Sequence, residues 1–118
     1  MGNTESNSIL IFSFIFALFG FFVVAPMILN AVSMGMDFTF VTFPGEMFDS
    51  ISVRMEENSP FPMTMMLGYC HHHIGYLPSA IAFEYTSYET DITRFVAGTG
   101  ELLQAEYINM LNELKNNG

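Results

Sequence analysis

Along this chain the spacing of apolar residues changes repeatedly, and each change predicts a new element. After a polar start at Met1–Ser8, expected to be disordered, residues 9–29 form an apolar run without charge, broken only by Ser13, Gly20 and Pro26. As a helix, a run of this length spans a bilayer core of about 30 Å, so it is a transmembrane or signal-anchor candidate. The alternative is a buried helix or strand pair of a larger protein. No Lys or Arg precedes the run, so a secretory n-region is missing and the positive-inside rule has nothing to read.

From Asn30 the pattern shifts. Met36–Phe43 is rich in β-branched and aromatic residues and predicts a strand, with Phe38 and Phe40 on one face and Val41 and Phe43 on the other. Apolar residues on both faces suit a strand covered on two sides. Pro44-Gly45 stops it. Glu46–Glu57 carries Met47, Phe48, Ile51 and Met55 at helical spacing, and Ser59-Pro60-Phe61-Pro62 ends that helix. Met63–Tyr69 is a second strand. Strand, helix and strand in this compass predict a βαβ unit with parallel strands. Pro78–Glu84 reads as one or two helical turns, and Tyr85–Phe95 as a loop with a short extended piece. Thr99 caps a final amphipathic helix whose stripe is Leu103, Tyr107, Met110, Leu111 and Leu114. The fold class is therefore α/β: a partial domain with a βαβ unit and a C-terminal helix, behind an apolar N-terminal helix. Three segments follow: 1–8, 9–29 and 30–118.

Charge narrows the partners. Twelve acidic against three basic side chains leave a net charge of −9, which repels phosphate backbones and excludes nucleic acid. The same surface offers little attraction to anionic headgroups, so any membrane contact is hydrophobic. Residues 9–29 make a membrane-associated or secretory-pathway location the expectation. One cysteine, Cys70, cannot form an internal disulfide framework.

Two islands carry candidate chemistry: Phe43-Pro44-Gly45-Glu46-Met47-Phe48, and Gly68-Tyr69-Cys70-His71-His72-His73-Ile74-Gly75-Tyr76-Leu77-Pro78. Each follows a strand-like run, and in open α/β sheets binding groups collect at strand ends. Glu46 offers a carboxylate, Tyr76 a phenol and the histidines imidazoles, all able to ligate a metal or move a proton. Glu46 also reads as a first-turn residue that the helix dipole favours.

The ordered set Gly35-x-Asp37, Phe43-Pro44-Gly45-Glu46-x-Phe48, Ser59-Pro60-Phe61, Gly68-x-Cys70, Gly75-Tyr76-Leu77-Pro78, Tyr88-Glu89 and Gly98-x-Gly100-Glu101 resembles the end of the catalytic domain of neutral/alkaline, non-lysosomal ceramidases. The likeness runs from Leu29 to the C-terminus. It implies a zinc-dependent hydrolysis of the amide of N-acyl sphingoid lipids. It further implies that Glu46 and Tyr76 are zinc ligands, and that Tyr88 and Glu89 shape the substrate pocket.

The chain departs from the family at the other ligands, two histidines far upstream of Pro-Gly-Glu, since no histidine precedes Glu46. His71, His72 and His73 are its only three. Neighbouring side chains in extended backbone point to opposite faces, so at best His71 and His73 share one and could substitute beside Glu46 and Tyr76. The expectation is a fragment of a ceramidase-like hydrolase, inactive alone, which either assembles with a second polypeptide that completes the site or is the product of a degraded gene. The alternative is a non-catalytic, single-pass membrane accessory protein.

Overall fold

A computed structural model of the chain describes the backbone of residues 5–18 and 21–117, with side chains from residue 27 onward. The elements are β1 (Glu5–Leu18), β2 (Phe21–Met34), β3 (Phe38–Thr42), β4 (Glu46–Met47), α1 (Asp49–Asn58), β5 (Met63–Leu67) and β6 (Tyr76–Leu77). A 3-10 turn (Ala80–Glu84), α2 (Tyr88–Ile92) and α3 (Thr99–Asn117) complete the chain. The main sheet has the order β1-β2-β3-β5, antiparallel from β1 to β3 and parallel between β3 and β5. Helix α1 joins the two parallel strands, so the βαβ unit, the mixed α/β class and the C-terminal helix are all present.

The apolar N-terminal run differs from the expected helix. Its described backbone is extended and lies in β1 and β2, which pair along their whole length from Glu5↔Met34 to Leu18↔Phe21. Among the described residues no helix is long and apolar enough to cross a membrane. The physical reason is residue type: the run is dominated by Ile, Val and Phe, whose branched or aromatic side chains fit a pleated surface better than a helix. Pro26 is tolerated because β2 pairs with β3 only from Asn30 to Met34, beyond the proline. Within the polar start, Glu5–Ser8 belong to β1, and Met1–Thr4 lie outside the described residues.

Two further elements differ in detail. Glu46–Met47 forms the short strand β4 and α1 begins only at Asp49, because the N–H groups of Glu46 and Phe48 are taken by the carbonyls of Gly75 and Leu77. The segment expected as a loop after Tyr85 contains α2. Its start is a capping box, in which the Ser87 hydroxyl accepts from the Thr90 N–H and the Thr90 hydroxyl accepts from the Ser87 N–H. Thr at the third position, in place of the usual Glu or Gln, hides that signal in the sequence.

One face of the sheet carries the core. Leu29 and Ala31 of β2 and Val41 of β3 pack with Ile51 and Met55 of α1 and with Leu103, Tyr107, Met110, Leu111 and Leu114 of α3. The predicted stripe of the last helix is thus buried in full. Burying each such side chain stabilises the fold by roughly 1.5–3 kcal/mol. Gly100 lets the first turn of α3 approach α1, since a Cβ there would stand 2.2 Å from Ile51 Cδ1. The Tyr107 hydroxyl donates to the Thr42 carbonyl at the end of β3, and Lys115 Nζ donates to the Met36 carbonyl while lying 4.7 Å from the Phe61 ring centroid. The opposite face alternates out of register with the core. Phe38 and Phe40 lie there half-buried beside exposed Met34, Met63 and Met65. The two-sided cover expected for β3 is therefore realised on one side only.

Candidate functional site

Both islands leave the carboxyl ends of the parallel strands β3 and β5, and they are stitched together by backbone. Five hydrogen bonds of 2.8–3.1 Å join them: Tyr69 N to Gly45 O, Cys70 N to Phe43 O, Ile74 N to Pro44 O, Glu46 N to Gly75 O and Phe48 N to Leu77 O. The approach is close enough that a Cβ on Gly45 would stand 2.4 Å from the Gly75 carbonyl oxygen. Only glycine fits there.

The outcome is a second, two-stranded parallel sheet in which Glu46 stands opposite Tyr76, and Met47 opposite Leu77. Register partners on adjacent parallel strands project to the same side, so the carboxylate and the phenol become neighbours. Three further side chains extend this group. The Tyr69 hydroxyl donates to a Glu46 carboxylate oxygen. Tyr88 sets its ring edge-on to Tyr76 with centroids 6.0 Å apart. The Tyr88 contact is held by the end of α2, where the Thr93 hydroxyl donates to the Tyr76 carbonyl at 2.7 Å. His73 lies with its ring 5.1 Å from that of Tyr69.

Negative charge collects here. The hydrogen bond to Glu46 pushes the Tyr69 phenol up to about 12, with desolvation and the Glu46 charge adding to it. Tyr76 is also raised, first by desolvation and then by Glu46, Tyr88 and Glu89. A phenol raised in this way stays protonated at neutral pH and serves as a hydrogen-bond donor.

Of the residues picked out in sequence, Glu46, Tyr76 and Tyr88 come together, and the Glu89 charge is felt at the Tyr76 phenol. His73 reaches the group only through Tyr69, and His71 is exposed, with a left-handed backbone at φ 71°. Among the described residues no three His, Cys, Asp or Glu side chains gather as a metal would require. Zinc sites take nitrogen or sulfur donors beside carboxylates and close tetrahedrally. The donors that converge here are a carboxylate and phenols without imidazole, so the chain by itself does not fit a complete zinc site. Tyr69 is the member that sequence reasoning missed. It is one residue within the second island, and its aim at Glu46 depends on a left-handed backbone, φ 55°, that no spacing rule announces.

Comparison with known proteins gives no match to a protein family, to a curated protein or to a solved structure.

Proposed function

We propose that the chain is a fragment of a zinc-dependent amide hydrolase of the neutral ceramidase kind, acting on N-acyl sphingoid lipids, with Glu46 and Tyr76 as its oxygen ligands. The observation that supports this reading is their register: the two residues implied by the sequence resemblance stand opposite each other on β4 and β6, at the carboxyl ends of the βαβ strands. Tyr88 and Glu89 flank the pair and shape the pocket wall. Residues 1–118 bring no imidazole to this pair, so the nitrogen ligands would come from outside them. When bound, zinc would supply a water of lowered pKa for attack on the amide. The chain's own part is to hold a carboxylate and a phenol in fixed geometry on a backbone-stitched turn. A single-pass accessory protein is less well supported, because it needs a helix over 9–29, where the described backbone pairs as strands.

The test is zinc affinity of the purified chain beside its variants, together with an amide hydrolysis assay. The expected result is weak zinc binding, no hydrolysis, and a loss of about tenfold or more in affinity for Glu46→Ala and for Tyr76→Phe. A double change of His71→Ala and His73→Ala should leave it unaltered. Equal zinc affinity in the parent chain and Glu46→Ala would overturn the reading.

A further inference from the structure

The group around Glu46 is built of one carboxylate among three phenol rings, and that composition suits a different ligand better than a metal ion. Tyr76 and Tyr88 stand at 78° to each other with centroids 6.0 Å apart, two walls of a corner. Tyr69 adds a third ring, tied to Glu46 by its hydroxyl, and its phenol feels both Glu46 and Tyr76. Tyr69 is 53 % exposed and Tyr88 65 %, so their rings stand open to solvent. Glu46 is exposed as well, and among the described residues its partner is a neutral phenol and not a cation. The groups acting on Tyr76 are Glu46, Tyr88 and Glu89, all of them acidic.

We propose that Glu46 and the rings of Tyr69, Tyr76 and Tyr88 form a binding site for a small quaternary ammonium ion of the tetramethylammonium or choline type. A cation over an aromatic face is attracted by the ring quadrupole, and several rings beside a negative charge are suited to quaternary ammonium groups. Hydration selects among cations. A primary ammonium is strongly hydrated, and its ion pair with an exposed carboxylate contributes little. A quaternary ammonium has no N–H to hydrate, so contact with rings costs it little. Tyr69 points the same way: it occupies one Glu46 oxygen and leaves the negative charge in place, which favours a ligand that needs charge and no hydrogen bond.

The surroundings favour the free ion over a phosphorylated head group. The chain carries −9, and the Glu46 and Glu89 charges at the site repel phosphate. The inference goes beyond the zinc reading and does not rest on it, although both ligands would compete for Glu46.

Amide-resolved NMR titration of the full chain with tetramethylammonium chloride, at constant ionic strength and with a metal chelator present, tests the site. Shifts should centre on Glu46, Tyr69, Tyr76 and Tyr88 and saturate with a Kd of about 1–10 mM, weak because so small a ligand makes few contacts. Choline should match tetramethylammonium within about threefold, while methylammonium and phosphocholine should bind about threefold or more weakly. Glu46→Gln should weaken binding about fivefold or more and Tyr88→Leu about threefold. Glu57→Gln, an equal loss of charge at an exposed position of α1, should leave it unchanged. Dispersion of the amide spectrum shows whether each variant is folded. Shifts that fail to saturate by about 100 mM overturn the proposal, as do equal losses from Glu46→Gln and Glu57→Gln, the mark of diffuse attraction to net charge. Methylammonium or phosphocholine bound as tightly as tetramethylammonium overturns it too. With the chelator present no outcome depends on zinc, and equal zinc affinity in the parent and Glu46→Ala would sink the hydrolase reading while leaving this site standing.

Discussion

Gly45→Ala should separate the two halves of the candidate site. The added Cβ would lie 2.4 Å from the Gly75 carbonyl oxygen, a backbone atom that cannot rotate away, and 3.0 Å from the Phe43 ring. Relief demands that the 68–75 segment move outward by several tenths of an ångström. The nearest bonds then stretch first: Glu46 N to Gly75 O at 2.9 Å and Ile74 N to Pro44 O at 2.8 Å. Losing both costs about 2 kcal/mol, at about 1 kcal/mol net for each. Overpacking adds about 1–3 kcal/mol, for a total of about 3–5 kcal/mol. That is a large share of the ~5–15 kcal/mol stability of a small domain. At a urea slope of about 1.5 kcal/mol/M the midpoint should fall by about 2–3 M. The assay is urea unfolding followed by far-ultraviolet circular dichroism, with Gly100→Ala as comparator. There a Cβ would meet the end of the Ile51 side chain at 2.2 Å and the Pro78 carbonyl oxygen only at 3.1 Å, and a helical alanine is intrinsically favoured over glycine. Gly100→Ala should therefore cost about 1 kcal/mol. If Gly45→Ala costs no more than Gly100→Ala, the close backbone contact between the islands is wrong.

Other outcomes follow from single contacts. Tyr107→Phe removes the donor to the buried Thr42 carbonyl and should cost about 1–3 kcal/mol in urea unfolding, without changing the helix content. Leu111→Ala, at a fully buried position of α3, should cost about 2–5 kcal/mol, and a loss below 1 would mean that the helix is not packed as described. The Tyr69 phenol, raised from 10.0 to about 12, holds its proton more tightly folded than unfolded. Its stabilising contribution is complete below pH 10 and is lost as pH rises from 10 to about 12. Phenolate absorbance should show Tyr69 titrating late together with Tyr76 and the buried Tyr107, and Glu46→Gln should bring the Tyr69 part of that late step back toward its ordinary value.

Periodic segments could be read directly from the sequence. The stripe from Leu103 to Leu114 repeats at helical spacing over three turns and can face only a core, and the βαβ unit announces itself by Pro44-Gly45 and Pro60 at its breaks. The run from Ile9 to Leu29 could not be read in this way, because it is apolar at nearly every position and has no period. Length then suggests a helix, but residue type and a neighbour decide the outcome. The strand that holds its second half continues past Leu29 and there finds β3, pairing Asn30 with Thr42 and Met34 with Phe38, and those contacts lie outside the run itself.

The candidate site divides along the same line. Glu46 and Tyr76 meet because both lie in extended backbone, where a register of one residue against one residue places partners on the same side. The histidines were judged by the same extended geometry, which pairs residues two apart on one face. That premise fails between Gly68 and Gly75. Tyr69 and His71 both adopt positive φ, at 55° and 71°, so the chain turns back on itself and alternation is lost. His73 consequently lies against the Tyr69 ring, while Tyr69 reaches the carboxylate instead. Left-handed backbone at non-glycine residues costs of order 1–3 kcal/mol each and persists only where surrounding contacts enforce it. Here the enforcing contacts are the bonds from Tyr69 N to Gly45 O and from Cys70 N to Phe43 O. The strain that keeps the histidines from the carboxylate is thus imposed by the same stitching that brings Glu46 to Tyr76.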